Sequence, residues 1–92
     1  MIVDRWTYIM KQGKWNELEA LFKAERERYG SMFDRIYVCQ IGNRGRLAVE
    51  TEFEDLADMQ KKMTEFKLSP GLYEEFVALT EAGTTREIWR VE

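Results

Sequence analysis

The sequence predicts an α+β domain of order β-α-β-β-α-(α)-β. Its four antiparallel strands are expected in the order 4-1-3-2, with helices on one face only. Three observations predict this. Phe33 to Phe53 holds two alternating runs about Gly42-Asn43-Arg44-Gly45, the pattern of a hairpin. One helical pattern with its strand precedes the hairpin, and another follows it. Short connections and right-handed crossovers then favour that strand order.

Each element has its own signals. Ile2 to Met10 is rich in β-branched and aromatic residues and reads as a strand. Its even set is Ile2, Asp4, Trp6, Tyr8 and Met10, and its odd set Val3, Arg5, Thr7 and Ile9. Neither is purely polar, so both faces are expected to be covered, and alternation assigns neither set to a face. After Gly13 the period becomes helical. Trp15, Leu18, Leu21, Phe22, Glu25 and Tyr29 recur at steps of three and four. Asn16 with Glu19 has capping-box spacing, although Lys14 is an alternative start. The charge-dense run Lys23 to Arg28 reads as a solvated face, and Gly30 suits the position just past the helix.

In the hairpin, setting Ile41 opposite Arg46 pairs Cys39 with Ala48, Tyr37 with Glu50 and Arg35 with Glu52. One face is then aliphatic (Ile36, Val38, Leu47, Val49) with Thr51 and Gln40. The other is polar and charge-matched: Arg35, Tyr37, Cys39, Arg46, Glu50 and Glu52. A slip of one residue would mix the two, so the aliphatic face is expected to meet the helices. Asp55 is the expected N-cap of the next helix, with Asp58 in its first turn and a stripe of Leu56, Met59, Met63 and Phe66. That helix is expected to end near Leu68. Ser69-Pro70 restarts a helix whose buried side is Tyr73, Phe76, Val77 and Thr80. Gly83 is read as its stop, before a last strand Thr84 to Val91 with Thr85, Glu87, Trp89 and Val91 on one face.

Composition bounds the function. The 92 residues form one domain, 1–92, too small to bury more than about two-thirds of its unfolded surface. The net charge of −3, with charges interleaved, argues against a phosphate-binding surface and so against nucleic acid. No apolar run approaches the ~20 residues that span a bilayer. Asp4 and Arg5 stand where a signal peptide would be apolar. The single cysteine, Cys39, rules out an internal disulfide, so a cytoplasmic, reducing setting is expected. The helix-free sheet face is expected to carry Trp6, Tyr8 and Trp89 beside the polar set of the hairpin. A domain this small would leave that face in water. Pairing two copies face to face would cover it, so a homodimer is expected.

Four short motifs extend this reading: Lys11-Gln12-Gly13 closing the first strand, the Gly42 turn, Glu52-Phe53-Glu54-Asp55-Leu56-Ala57 turning strand into helix, and Ser69-Pro70-Gly71. With the element order, they resemble the ferredoxin-like dimeric α/β-barrel superfamily over nearly the whole chain. The resemblance is strongest to its NIPSNAP-like and antibiotic-biosynthesis-monooxygenase-like branches. It implies a barrel of two paired sheets. Where NIPSNAP-like chains tend to carry Asn, His and Trp in the third strand, this chain has Gly45, Val49 and Thr51. It contains no histidine, so functions of those side chains do not transfer, and haem ligation through His is excluded. Cofactor-free monooxygenase and isomerase relatives place polar groups inside the barrel. Here those parts fall to Tyr37 and Glu50, with Trp6 and Tyr8.

Without histidine, neither a Ser-His-Asp nor a Cys-His arrangement can form, and no N/S zinc site is expected. The carboxylates Glu50, Glu52, Glu54, Asp55 and Asp58 are sent to different faces by alternation, so no metal and no cofactor is expected. Tyr37 with Glu50 is the sharpest chemical pair. Enclosure would desolvate Glu50 and make it a candidate base beside a phenol donor, against a plain structural hydrogen bond or a salt bridge to Arg35 or Arg46. Cys39 reads as small filler rather than nucleophile. The candidate ligand-binding set is Trp6, Tyr8, Tyr37, Glu50 and Trp89, weighed against ordinary sheet packing. Gly42-Asn43-Arg44-Gly45 has GxxG spacing but joins strands, not helices. In the third strand, Arg46, Ala48 and Thr51 replace the aromatics an RNA-recognition motif needs. The function expected is binding of a small apolar or aromatic molecule. The alternatives are a cofactor-independent monooxygenase or isomerase using Glu50 and Tyr37, and a structural module without a ligand.

Overall fold

A computed structural model of the chain describes residues 1–29, 34–42, 45–65 and 71–92. The elements run β1 (Ile2–Met10), α1 (Trp15–Tyr29), β2 (Arg35–Val38), β3 (Arg46–Phe53), α2 (Leu56–Glu65), α3 (Leu72–Leu79) and β4 (Thr80–Arg90). The four strands form one antiparallel sheet in the order β2-β3-β1-β4, the ferredoxin-like arrangement expected. Among the described residues no helix is long and apolar enough to cross a membrane. Expectations for Gly30, the Asn43-Arg44 turn, Phe66, Leu68 and Ser69-Pro70 lie outside the described residues.

The helix-covered face holds the core. Leu18 and Phe22 of α1 are buried against Tyr8 and Met10 of β1 and Leu47 and Val49 of β3, with Trp15, Phe76 and Leu79 packed around them. The rings of Tyr8, Phe22 and Phe76 meet as a trio, with centroids 4.6 to 5.7 Å apart. Phe76 stands edge-on to both partners, a geometry worth about 0.5–1.5 kcal/mol per pair beyond burial. This core corrects one expectation. Trp6 and Tyr8 lie on the helix-covered face, not the open one. The even set of β1 is the core set although it contains a carboxylate, because Arg86 of β4 grips Asp4 with two hydrogen bonds of 2.9 and 2.7 Å. That pair lets Asp4 sit 3% exposed within an otherwise apolar row.

The hairpin keeps its expected parity but not its register. Arg35 opposes Glu50, Tyr37 opposes Ala48 and Val38 opposes Leu47. The Cys39 N–H donates to the Arg46 carbonyl, so the connection runs from Gln40 to Gly45 instead of being the four-residue Gly42–Gly45 turn. A shift of two residues keeps every side chain on its face, because the side-chain period is two.

Two helix boundaries differ from expectation, and a third takes the earlier of its two alternatives. The Leu18 N–H donates to the Lys14 carbonyl, so α1 starts at the earlier alternative and Asn16 lies inside its first turn. α3 begins at Leu72 after Gly71 at φ 81°, and it turns Phe76 and Leu79 inward while Tyr73 and Val77 stay exposed. Gly83 does not end a helix. It sits inside β4 at φ 110°, where the β1–β4 register jumps from Thr7↔Thr85 to Ile9↔Glu81. A glycine in a strand interior commonly marks a bulge, and only glycine takes this backbone without strain. By contrast Asp55 caps α2 as expected. Its Oδ1 accepts from the Asp58 N–H at 2.8 Å, and Asp58 Oδ2 accepts from the Glu54 N–H at 3.0 Å. That second bond is the main reason the Asp58 carboxyl is held below its ordinary value, with Lys62 assisting.

Candidate functional site

The open face of the sheet is built from the odd residues of β1 and their partners. The strand register sorts them into rows. One row is Glu52, Val3 and Trp89. The next is Arg35, Glu50, Arg5 and Glu87, one residue from each strand in spatial order. The third is Tyr37, Ala48, Thr7 and Thr85. Beyond it Arg46 stands beside Ile9, next to the bulge at Gly83.

A cleft of about 490 Å³ lies over the neutral third row. Its walls include Arg5, Thr7, Ile9, Tyr37, Cys39, Arg46, Ala48, Thr85 and Glu87. At Gly83 the bulge brings β4 so close to β1 that an added Cβ would lie 2.9 Å from Ile9 Cδ1. The small side chains of Ala48, Thr7 and Thr85 leave the floor low. Among the residues proposed for this face, the structure brings Tyr37 and Glu50 together and places Trp89 on the exposed edge strand. Trp6 and Tyr8 are on the far side of the sheet, where Arg86 lies over the Trp6 ring. The Tyr8 phenol is pushed well up, mainly by burial and then by the Asp4 charge.

Tyr37 Oη donates to Glu50 Oε1 at 2.9 Å, across a diagonal of the β2–β3 ladder. Glu50 also faces Arg5 at 3.4 Å and Arg35 at 3.9 Å, and is 8% exposed although no helix covers it. Its polar neighbours are the Tyr37 hydroxyl and the guanidinium groups of Arg5 and Arg35. Arg5 lies 5.4 Å from the Tyr37 ring centroid. The hydrogen bond to Glu50 is the main cause that raises the Tyr37 phenol above its ordinary value. Arg35 makes its shortest contact to Glu52, 2.6 Å, and this keeps its guanidinium firmly charged. The Cys39 thiol donates to the Ile41 carbonyl at 3.2 Å. Arg46 and Glu87 make no ion pair among the described residues.

The arrangement can hold a small molecule over a neutral floor, with phenol, thiol and guanidinium donors on the walls. Tyr37 presents its phenol to whatever sits there, while its hydrogen-bond acceptor Glu50 lies beside the cleft and off its wall. Among the described residues no group of three or more His, Cys, Asp or Glu could hold a metal ion. Arg5 and Thr7 were not singled out from the sequence. Their signal was available: they alternate with the core set, so placing Tyr8 in the core places them here.

No protein-family model matches the sequence, and no curated protein matches it. Solved structures do. A NIPSNAP-domain protein from Burkholderia xenovorans superposes with a TM-score of 0.80 at 13% identity, covering 100% of this chain and 95% of that one. The fold is that of NIPSNAP domains. A NIPSNAP family protein of unknown function from Agrobacterium tumefaciens gives 0.77 at 16% identity, over 97% of this chain and 86% of that one. An antibiotic biosynthesis monooxygenase gives 0.67 at 13% identity, over 100% of this chain and 99% of that one. At these identities the likeness to NIPSNAP and monooxygenase structures is one of fold, as the sequence motifs implied.

Proposed function

We propose that the protein binds a small, largely apolar or aromatic molecule in the open-face cleft, and that two copies pair sheet to sheet to enclose it. The carrying observation is the cleft itself. About 490 Å³ lies above Ala48, Thr7 and Thr85, walled by Tyr37, Arg5 and Arg46. That volume lies in the range of small-molecule sites. A partner sheet would take the cleft, Trp89 and Val3 out of water together. A reducing, cytoplasmic setting suits the free thiol of Cys39.

Thermal shift with a neutral aromatic probe, N-phenyl-1-naphthylamine, tests the reading. At ten times Kd a ligand adds about 1.4 kcal/mol, enough to raise Tm by several degrees in a domain of this size. Ala48→Phe, which fills the floor, should abolish the shift while the protein stays folded. An unchanged shift in that variant would place the molecule elsewhere.

One observation favours a second reading, a cofactor-independent monooxygenase or isomerase. The Tyr37 phenol donates directly to Glu50 at the rim of the cleft, so a substrate hydroxyl displacing it would meet a carboxylate. The monooxygenase with the same fold makes that chemistry the first to assay. In such an enzyme Glu50→Gln should cut turnover at least a hundredfold with ligand binding retained. Turnover at the wild-type rate would remove Glu50 from the chemistry.

A further inference from the structure

Among the described residues, the charged side chains on the cleft wall are Arg5, Arg46 and Glu87. Arg5 has a carboxylate, Glu50, at 3.4 Å. Arg46 and Glu87 have no ion pair among the described residues. We propose that Arg46 anchors the ligand, and that the ligand is an aromatic monocarboxylate. Its ring lies over Ala48, Thr7 and Thr85, and its carboxylate sits on the Arg46 guanidinium. This inference rests on the binding cleft proposed above and names the chemistry of its occupant.

The strand register fixes where the two charges without a partner stand. Arg46 opposes Ile9 on β1, and Glu87 opposes Arg5 on the same strand. From Arg5 to Ile9 is about 13 Å along the strand. β3 and β4 flank β1, so the two charges are also separated by two strand spacings, about 10 Å. Their backbones are therefore about 16 Å apart, at opposite corners of the cleft. Side chains stand roughly perpendicular to a sheet, so a carboxylate on Arg46 stays beyond the ~10 Å over which Glu87 would repel it in 0.1 M salt.

The neighbours of each charge decide the sign of the ligand. Glu87 opposes Arg5, and opposed residues have Cβ atoms about 5 Å apart, so a ligand cation at Glu87 would meet a guanidinium. Arg46 is flanked by Ile9 and by Cys39, whose N–H donates to the Arg46 carbonyl, so no carboxylate stands on either side of it. The number of charges decides the class. One uncompensated guanidinium balances one negative charge, whereas a phosphate monoester would bring nearly two. The planar fork of arginine also matches the two oxygens of a carboxylate. Ala48, Thr7, Thr85 and Ile9 carry no charge, and they suit an apolar ring better than a second polar group. A ring held there sheds water from the guanidinium, which makes its ion pair stronger than one in open solvent.

Isothermal titration calorimetry with 2-naphthoate and 2-naphthamide at low ionic strength tests the inference, because the two have nearly the same shape and differ in charge. The protein should bind naphthoate about tenfold more tightly than naphthamide. Arg46 is exposed, so Arg46→Gln leaves the core untouched. It should weaken naphthoate about tenfold and change naphthamide less than about twofold, which removes the preference. Glu87→Gln, at the far corner, should leave the preference within about twofold of wild type. Equal affinities in the wild type, or a preference that survives in Arg46→Gln, overturns the carboxylate anchor and leaves the cleft standing as a binding site. So does binding of N-phenyl-1-naphthylamine without binding of naphthoate. If none of the three molecules binds, both readings fall.

Discussion

At the scale of single residues, the pair that decides which face of β1 is the core is Asp4 with Arg86. Both hydrogen bonds are short, and Asp4 is closed off from water while Arg86 is only partly so. Removing Arg86 strands a buried carboxylate, so Arg86→Ala should cost about 3 kcal/mol in urea denaturation. A loss below about 0.5 kcal/mol would mean that the pair adds nothing over its separated parts. Gly83→Ala asks a glycine-only backbone of alanine and pushes a Cβ onto Ile9, and should cost about 1–3 kcal/mol. Since the clash is with Cδ1, combining it with Ile9→Val should cost less than the two single losses added. Both tyrosines with raised phenols stabilise the fold in their neutral form. Their contribution is complete below the ordinary value of 10 and is lost as pH rises through the higher folded values. In a spectrophotometric titration Tyr8 should ionise only as the protein unfolds in alkali. A Tyr8→Phe variant with the same late-ionising fraction would refute that assignment. Neither the Asp4–Arg86 pair nor the bulge at Gly83 was legible in the sequence. Asp4 and Arg86 lie 82 residues apart and meet only once the β1–β4 register is known. Gly83 carries the same local signal whether it stops a helix or kinks a strand.

At the scale of elements, periodicity was readable and pairing was not. The three-and-four spacing of Leu18 and Phe22 located α1, and two-residue alternation located the aliphatic and polar faces of the hairpin. Parity survives an error of two residues in register, and for that reason Tyr37 and Glu50 still meet, now on a diagonal. The even set of β1 was harder to place, because one buried carboxylate makes a core face look mixed. Capping was local and therefore legible. Asp55→Ala should lower stability by about 1 kcal/mol. Asp58 adds a pH dependence. Its folded carboxyl lies below the ordinary 3.8, so its stabilisation is present above that value and is lost as pH falls through the lower one. The stability gap between wild type and Asp58→Asn should therefore shrink between pH 5 and pH 2. A gap that widens toward acid would reverse the sign of this argument.

For the whole molecule, the sheet has one face closed by helices and one that none of the described helices covers. The cleft, the charge row and Trp89 all belong to the second. Its contents could be named from alternation only after the first face was known, so the candidate site was half visible. Tyr37, Glu50 and Trp89 lie on the open face, but of these only Tyr37 lines the cleft, and Arg5, Thr7 and Thr85 emerged with the register. The order of the strands has a kinetic consequence. β1, made first, has its neighbours supplied by β3 and by β4, the last strand of the chain. Half of its ladder must wait for a partner separated by nearly the full length of the chain, the kind of contact that closes late and slows folding. The Asp4–Arg86 clasp spans that late seam. In stopped-flow measurements its removal should speed unfolding and leave refolding nearly unchanged. If refolding slows instead, the outermost strand docks in the rate-limiting step, and the sheet assembles from its two ends inward.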